Sequence, residues 1–167
     1  MIFFVDASAL VKLYHDEVGA EAMRQLFRRP EHQNAFFVTN LVALEVVVRL
    51  AKRGRAGGRR ERRRFDCVLK EYTRHREEYL HVVGVEPSVV RNAESIAVVH
   101  SDSGAGTLDL VHAASARQVQ EQLPDQPLTF VVADRKLRSL VERLGFRTFD
   151  PEQGDPAQLA PDLGRGR

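Results

Sequence analysis

Ile2-Phe3-Phe4-Val5-Asp6-Ala7-Ser8-Ala9-Leu10 is the stretch that decides the fold. Its first four residues are apolar without alternation, which suits a short strand buried on both faces at the centre of a parallel sheet. The run stops at a carboxylate. In open α/β sheets ligands sit beyond the carboxyl ends of the strands, so Asp6 stands where a functional acid would be placed. It stands equally where a helix N-cap would be placed, because Asp and Ser both satisfy the free amides of a first turn. Taken alone, the cap is the better reading. What decides between the two is whether other acids reach the same edge.

The same pattern of strand, acid and helix recurs late in the chain. Residues 128–133 form an apolar run broken only by Thr129, Asp134 follows, and Leu137, Leu140, Val141 and Leu144 then repeat at helical spacing up to Gly145. Between these two junctions the sequence alternates. Helical patterns over residues 8–14 and 18–28 precede a short strand at 35–38. A helix at 41–52 follows, with Asn40 as its cap, and helical sequence continues to about Glu78 with Phe65, Leu69 and Tyr72 inward. Residues 79–85 read as a strand. Pro87 opens a helix in the favoured first position, with Val89, Val90, Ala93, Ile96 and Ala97 inward. A polar, Gly-rich loop at 101–106 leads to a helix capped by Thr107, and a last short strand falls at 147–149. Such alternation predicts an α/β fold of three layers, α/β/α, with a central, mostly parallel sheet. Residues 1–150 make one domain. From Pro151 to Arg167, Pro, Gly and polar residues predict a loose tail.

Two further acids are anomalous. Leu41, Leu44 and Val48 define an apolar stripe on the 41–52 helix, and Glu45 lies on it. A carboxylate facing a core is costly unless it is paired or bound to a metal; the alternative is an acid at the stripe's edge that reaches water. Asp109 falls in the first turn of its helix, where an acid also complements the helix dipole, and His112 shares its face three residues on. In the predicted architecture Asp6 and Asp134 end two strands at one sheet edge, with Glu45 and Asp109 early in neighbouring helices. Four carboxylates in one cleft repel one another and raise each other's pKa values. A divalent cation removes that conflict, and an all-oxygen ligand set without Cys suits Mg²⁺ or Mn²⁺. Such a site activates water for phosphodiester hydrolysis.

Composition narrows the classes. A chain of 167 residues is long enough for one sizeable core, and its formal net charge of +2 announces no nucleic-acid partner. The charge is unevenly spread, because residues 49–64 are densely basic. Such a run is usually a solvated helix face; the sharper reading is a phosphate contact through Arg59, Arg60, Arg62 and Arg63. A single cysteine, Cys67, excludes an internal disulfide and fits a reducing compartment. No signal-peptide pattern and no apolar run near the roughly 20 residues of a membrane span is present, which predicts a soluble, cytoplasmic protein.

Val5-Asp6-Ala7-Ser8-Ala9-Leu10, Glu45 in its apolar helix, Leu108-Asp109-Leu110-Val111-His112-Ala113-Ala114-Ser115-Ala116 and Val132-Ala133-Asp134-Arg135-Lys136-Leu137 together resemble the ordered motifs of PIN-domain nucleases. Length and layout look most like the VapC-type toxins of toxin–antitoxin pairs. The resemblance implies a metal-dependent endoribonuclease. Asp6, Glu45 and Asp109 match the core acids that hold the metal directly or through water. Asp134 matches a fourth acid supporting a second ion or the water network, and Ser8 matches a hydroxyl residue that orders the site. It also implies a small antitoxin covering the cleft, and a homodimer. One departure is Val132, two residues before Asp134, where the family often carries Thr or Ser. Two rivals stand beside this reading: a PIN-like binding module without activity, and a haloacid-dehalogenase-like phosphatase with Asp6 as nucleophile, which usually has a second acid where this chain has Ser8.

Overall fold

The computed structural model describes residues 1–29, 35–55 and 58–159, with Arg60 and Glu61 described by their backbone alone. The first strand, β1 (Ile2–Val5), is buried along its whole length. It lies between β2 (Phe36–Thr39) and β4 (Leu128–Val131), with Phe3 opposite Phe36 and Val5 opposite Val131. β3 (Leu80–Val83) flanks β2 and β5 (Arg147–Phe149) flanks β4, giving the order β3-β2-β1-β4-β5 with every pair parallel. The central, parallel sheet of the sequence reading is therefore present.

Both faces are covered. On one, Phe3, Val5, Phe36 and Val38 pack against α1 (Ala7–Leu10), the 3₁₀ turn Val11–Tyr14 that extends it, α2 (Ala20–Arg28), α3 (Asn40–Arg55) and α4 (Arg59–Glu78). On the other, Ile2, Phe4, Leu128 and Phe130 pack against α5 (Pro87–Val99), α6 (Thr107–Gln122) and α7 (Arg135–Arg143). This is why β1 shows no alternation: odd and even side chains each have a core to enter. Fully burying side chains of this size contributes about 1.5–3 kcal/mol apiece. On α6, Ala113, Ala114 and Ala116 are completely buried and let the helix lie close to the sheet. Among the described residues no helix is long and apolar enough to cross a membrane.

Four local expectations are corrected. The stripe Leu41, Leu44 and Val48 is not the buried face of α3: Leu44 is 59% and Val48 41% exposed, and the core side is Val42, Ala43, Val46 and Leu50. Residues 41–48 are apolar except for Glu45, so periodicity permitted either stripe; the spacing of four from Val42 to Val46 to Leu50 is the one used. Val90 likewise faces outward, at 42% exposure. Asn40 and Thr107 are the first residues of their helices rather than caps. Thr39 Oγ1 accepts the Val42 amide instead, and Gly106 is the N-cap of α6.

The tail is packed at its start. Pro151 is buried, residues Pro156–Leu159 form a 3₁₀ turn, and Leu159 rests on the first core cluster. Lys12 explains the attachment. It is a buried cation whose ammonium donates to Glu152 at 2.7 Å and to the Val18 carbonyl at 3.0 Å, with Glu17 at 3.5 Å. A buried charge must be paired, and part of its pairing comes from beyond Pro151. Gly19 completes the seam. Its φ of +86° and a Pro151 backbone 2.9 Å from where a Cβ would stand leave room for no side chain. Residues 160–167 of the expected tail lie outside the described residues.

Candidate metal centre

Parallel pairing brings the two strand-ending acids to one edge. The Asp6 amide donates to the Val131 carbonyl at 3.0 Å, so the β1–α1 and β4–α7 turns leave the sheet side by side. Ser8 ties them together: its hydroxyl accepts the amides of Ala133 at 3.1 Å and Asp134 at 3.2 Å. The hydroxyl that Val132 lacks is thus supplied to this turn from the neighbouring one.

Three of the four acids hold helix starts. Asp6 is 5% exposed and accepts the Ser8 amide at 2.8 Å as N-cap of α1. Asp134 caps α7, one oxygen accepting the amides of Lys136 at 2.8 Å and Leu137 at 3.1 Å. Asp109 reaches back one turn and accepts the Gly106 amide at 2.7 Å. Burial pushes the Asp109 carboxyl above the ordinary aspartate range. The negative charges of Asp134 and Asp6 push the same way, against the Gly106 hydrogen bond and His112, which lower it. Asp109 therefore shares one electrostatic environment with two of the other acids.

Glu45 sits inside α3 and cannot cap anything. It is held across the cleft: its Oε2 lies 3.0 Å from His112 Nε2, with the glutamate side chain 26% exposed and the imidazole almost wholly buried. His112 Nδ1 lies 3.3 Å from Thr39 Oγ1, which is itself the acceptor for Val42. With a neutral imidazole and an ionised Glu45 both contacts are satisfied when Nε2–H donates to Glu45 and Nδ1 accepts the Thr39 hydroxyl proton. One directional relay thus runs from the end of β2 to the Glu45 carboxylate.

Potential ligand atoms of Asp6, Glu45 and His112 all lie within 4.8 Å of one another, a separation a single cation can bridge. The sequence reading named Asp6 and Glu45. It named His112 only as sharing a helix face with Asp109 and did not name Thr39 at all. The spacing of three from Asp109 was the available signal for His112, but its partners come from β2 and α3, which only the fold supplies. Of the basic quartet, Arg59, Arg62 and Arg63 are exposed on the first turns of α4; the side chain of Arg60 lies outside the described residues.

Over residues 3–140 the chain matches the PIN domain family. The chain belongs to that family. The PIN fold of this chain is also found, with a TM-score of 0.59, in VapC20 of Mycobacterium tuberculosis, a sarcin–ricin loop cleaving toxin; identity is 17% over 82% of this chain and 93% of that one. FitAcB from Neisseria gonorrhoeae shares it with a TM-score of 0.64, at 13% identity over 92% of this chain and all of that one. VapBC2 from Rickettsia felis, bound to a DNA fragment from its promoter, gives 0.59 at 14% identity, covering 90% of this chain and 100% of that one. At such identities the likeness is one of fold. Comparison with curated proteins finds no match.

Proposed function

We propose that this PIN domain protein is a metal-dependent endoribonuclease and the toxin of a toxin–antitoxin pair. The observation that carries the reading is that Asp6 and Glu45, remote in sequence, bring ligand atoms within 4.8 Å of each other; Asp109, whose carboxyl is raised first by burial and then by the charges of Asp134 and Asp6, and Asp134, tied to the Asp6 turn through Ser8, support a wider acidic site. The donor set fits a hard dication, since it is rich in carboxylate oxygen, contains no thiolate and carries surplus negative charge. Asp6, Glu45 and Asp109 would hold Mg²⁺, or Mn²⁺ in its place, directly or through water; Asp134 would support a second ion or the water network. When bound, the ion supplies an activated water and charge stabilisation at a phosphate under in-line attack. Ser8 keeps the two acid-bearing turns in register, and His112 keeps Glu45 turned toward Asp6.

The cleavage named for VapC20 supports structured RNA as the substrate class. The resemblance to VapC-type toxins supports a small antitoxin as partner. A homodimer, a cytoplasmic location and an outer RNA contact at Arg59, Arg60, Arg62 and Arg63 complete the proposal. The test is to express the chain without any partner and map new RNA ends in the arrested cells. Discrete ends that vanish with Asp6→Ala and with Asp109→Ala are expected. Full cleavage by either folded variant would refute the assignment, and Mn²⁺ binding equal in the parent and Asp6→Asn would favour a binding module without activity.

A further inference from the structure

We propose that the RNA strand leaves the acidic centre along one face of α3, with Arg49 and Lys52 as the side chains that take its next phosphates. The inference rests on the ribonuclease reading and adds the direction of the substrate. Glu45, Arg49 and Lys52 are spaced four and three apart, so they form one stripe on the helix. At 1.5 Å per residue Arg49 lies about 6 Å, and Lys52 about 10 Å, along the axis from Glu45.

The stripe opens onto a built surface. A hollow of about 480 Å³ joins Ser8 and Asp134 of the acidic centre to Arg49 and Lys52. Other cations line it, but they are already engaged. Lys12 is buried against Glu152 and Glu17, and Arg53 donates to Glu17 at 2.8 Å. Arg49 and Lys52 are exposed and form no ion pair with any described residue. Two cations that no described acid neutralises, at the rim of an anionic site, lower the repulsion that an incoming polyanion meets there, and each phosphate contact releases counterions. Arg59, Arg62 and Arg63 line neither this hollow nor the adjoining one between Arg53 and Arg64, which makes them outer contacts.

The test measures the salt dependence of binding of a fluorescein-labelled oligouridylate to the full chain, with chelator present so that the probe stays intact. Arg49→Gln/Lys52→Gln should reduce the slope of log K against log salt by about 1.4, since each single-strand phosphate contact contributes about 0.7. The control pair Arg117→Gln/Arg147→Gln, on a hollow at the opposite sheet edge, should leave the slope unchanged. Both variants alter exposed side chains, and an unshifted melting temperature checks the fold. A parent that binds RNA with a slope untouched by Arg49→Gln/Lys52→Gln, or lowered equally by both pairs, overturns the track alone. A parent that fails to bind the probe and leaves cellular RNA intact overturns the ribonuclease reading with it.

Discussion

Replacing His112 by Leu tests how Glu45 is held. The substitution keeps roughly the volume and removes both hydrogen bonds of the imidazole. Thr39 is completely buried, so its hydroxyl proton loses its acceptor with no water to replace it. An unsatisfied buried polar group costs about 1–3 kcal/mol. Glu45 is a quarter exposed and recovers hydration, so its share is small. A total of about 2 kcal/mol corresponds to a melting temperature lower by about 4–8 °C in a domain of this size. The functional cost is larger, since losing a group that orients a metal ligand typically costs about 10–100-fold in affinity. Calorimetric titration with Mn²⁺ reads that factor, and a cycle with Glu45→Ala identifies its route. If His112 acts through Glu45, Glu45→Ala and Glu45→Ala/His112→Leu bind Mn²⁺ equally. If His112→Leu costs the same factor in both backgrounds, the imidazole is itself a ligand, its Nε2 carries no proton when metal binds, and the relay from Thr39 is wrong.

Three other outcomes follow from the same geometry. Mg²⁺ at a hundredfold excess over its dissociation constant should stabilise the fold by about 2.7 kcal/mol, raising the melting temperature by about 5–11 °C; in Asp6→Asn most of that rise should vanish, and an equal rise would place the ion elsewhere. Gly54→Ala puts a Cβ 2.6 Å from Phe65 Cβ, where α3 meets α4. That overpacking should cost about 1–3 kcal/mol in denaturant unfolding; an unchanged midpoint would mean that the two helices separate freely. Burial lowers the pKa of His75, whose Nδ1 lies 3.2 Å from the Tyr14 hydroxyl, and Arg74 lowers it further against the opposing pull of Glu71 and Glu78. The unfolded chain takes up a proton at this site from about pH 6.5 downward while the folded chain resists, so stability should fall as pH drops from there through the folded value. His75→Gln should shrink the difference in melting temperature between pH 7.5 and pH 5, and an undiminished difference would assign it to other groups.

The fold was legible where one physical cause acted alone. The apolar runs ending in Asp6 and Asp134, the second broken only by Thr129, fit strands with two covered faces, and a parallel sheet then delivers both acids to one edge. The α3 stripe was misread because Leu41 to Val48 is apolar on every side except at Glu45. Which side meets the sheet is settled by the position of β1 and β2, which no local period encodes. The attachment of residues 151–159 was hidden for a related reason: composition describes a loose tail, whereas the tail is pinned by Lys12, a single buried cation 140 residues away from Glu152. His112 was visible as a residue but not as a link, because both of its partners belong to other elements.

The sequence posed helix capping and catalysis as alternatives for the acids, and the structure removes the opposition. Asp6, Asp109 and Asp134 each commit one carboxylate oxygen to a backbone amide at a helix start. A capping bond fixes the carboxylate at two points, its backbone and one oxygen, and leaves the second oxygen directed away from the helix. Three helices thereby begin at carboxylates each anchored to a backbone amide, while the ligand atoms that lie within 4.8 Å of one another are those of Asp6, Glu45 and His112. Glu45 has no such device, because it lies in mid-helix and its side chain has an additional rotatable bond. Its orientation must come from another element, and the only described donor on its Oε2 is the imidazole that Thr39 holds. Of the four acids, Glu45 is therefore the one whose position should respond most to changes outside the acidic cluster, and Thr39→Val should loosen it without touching any acid.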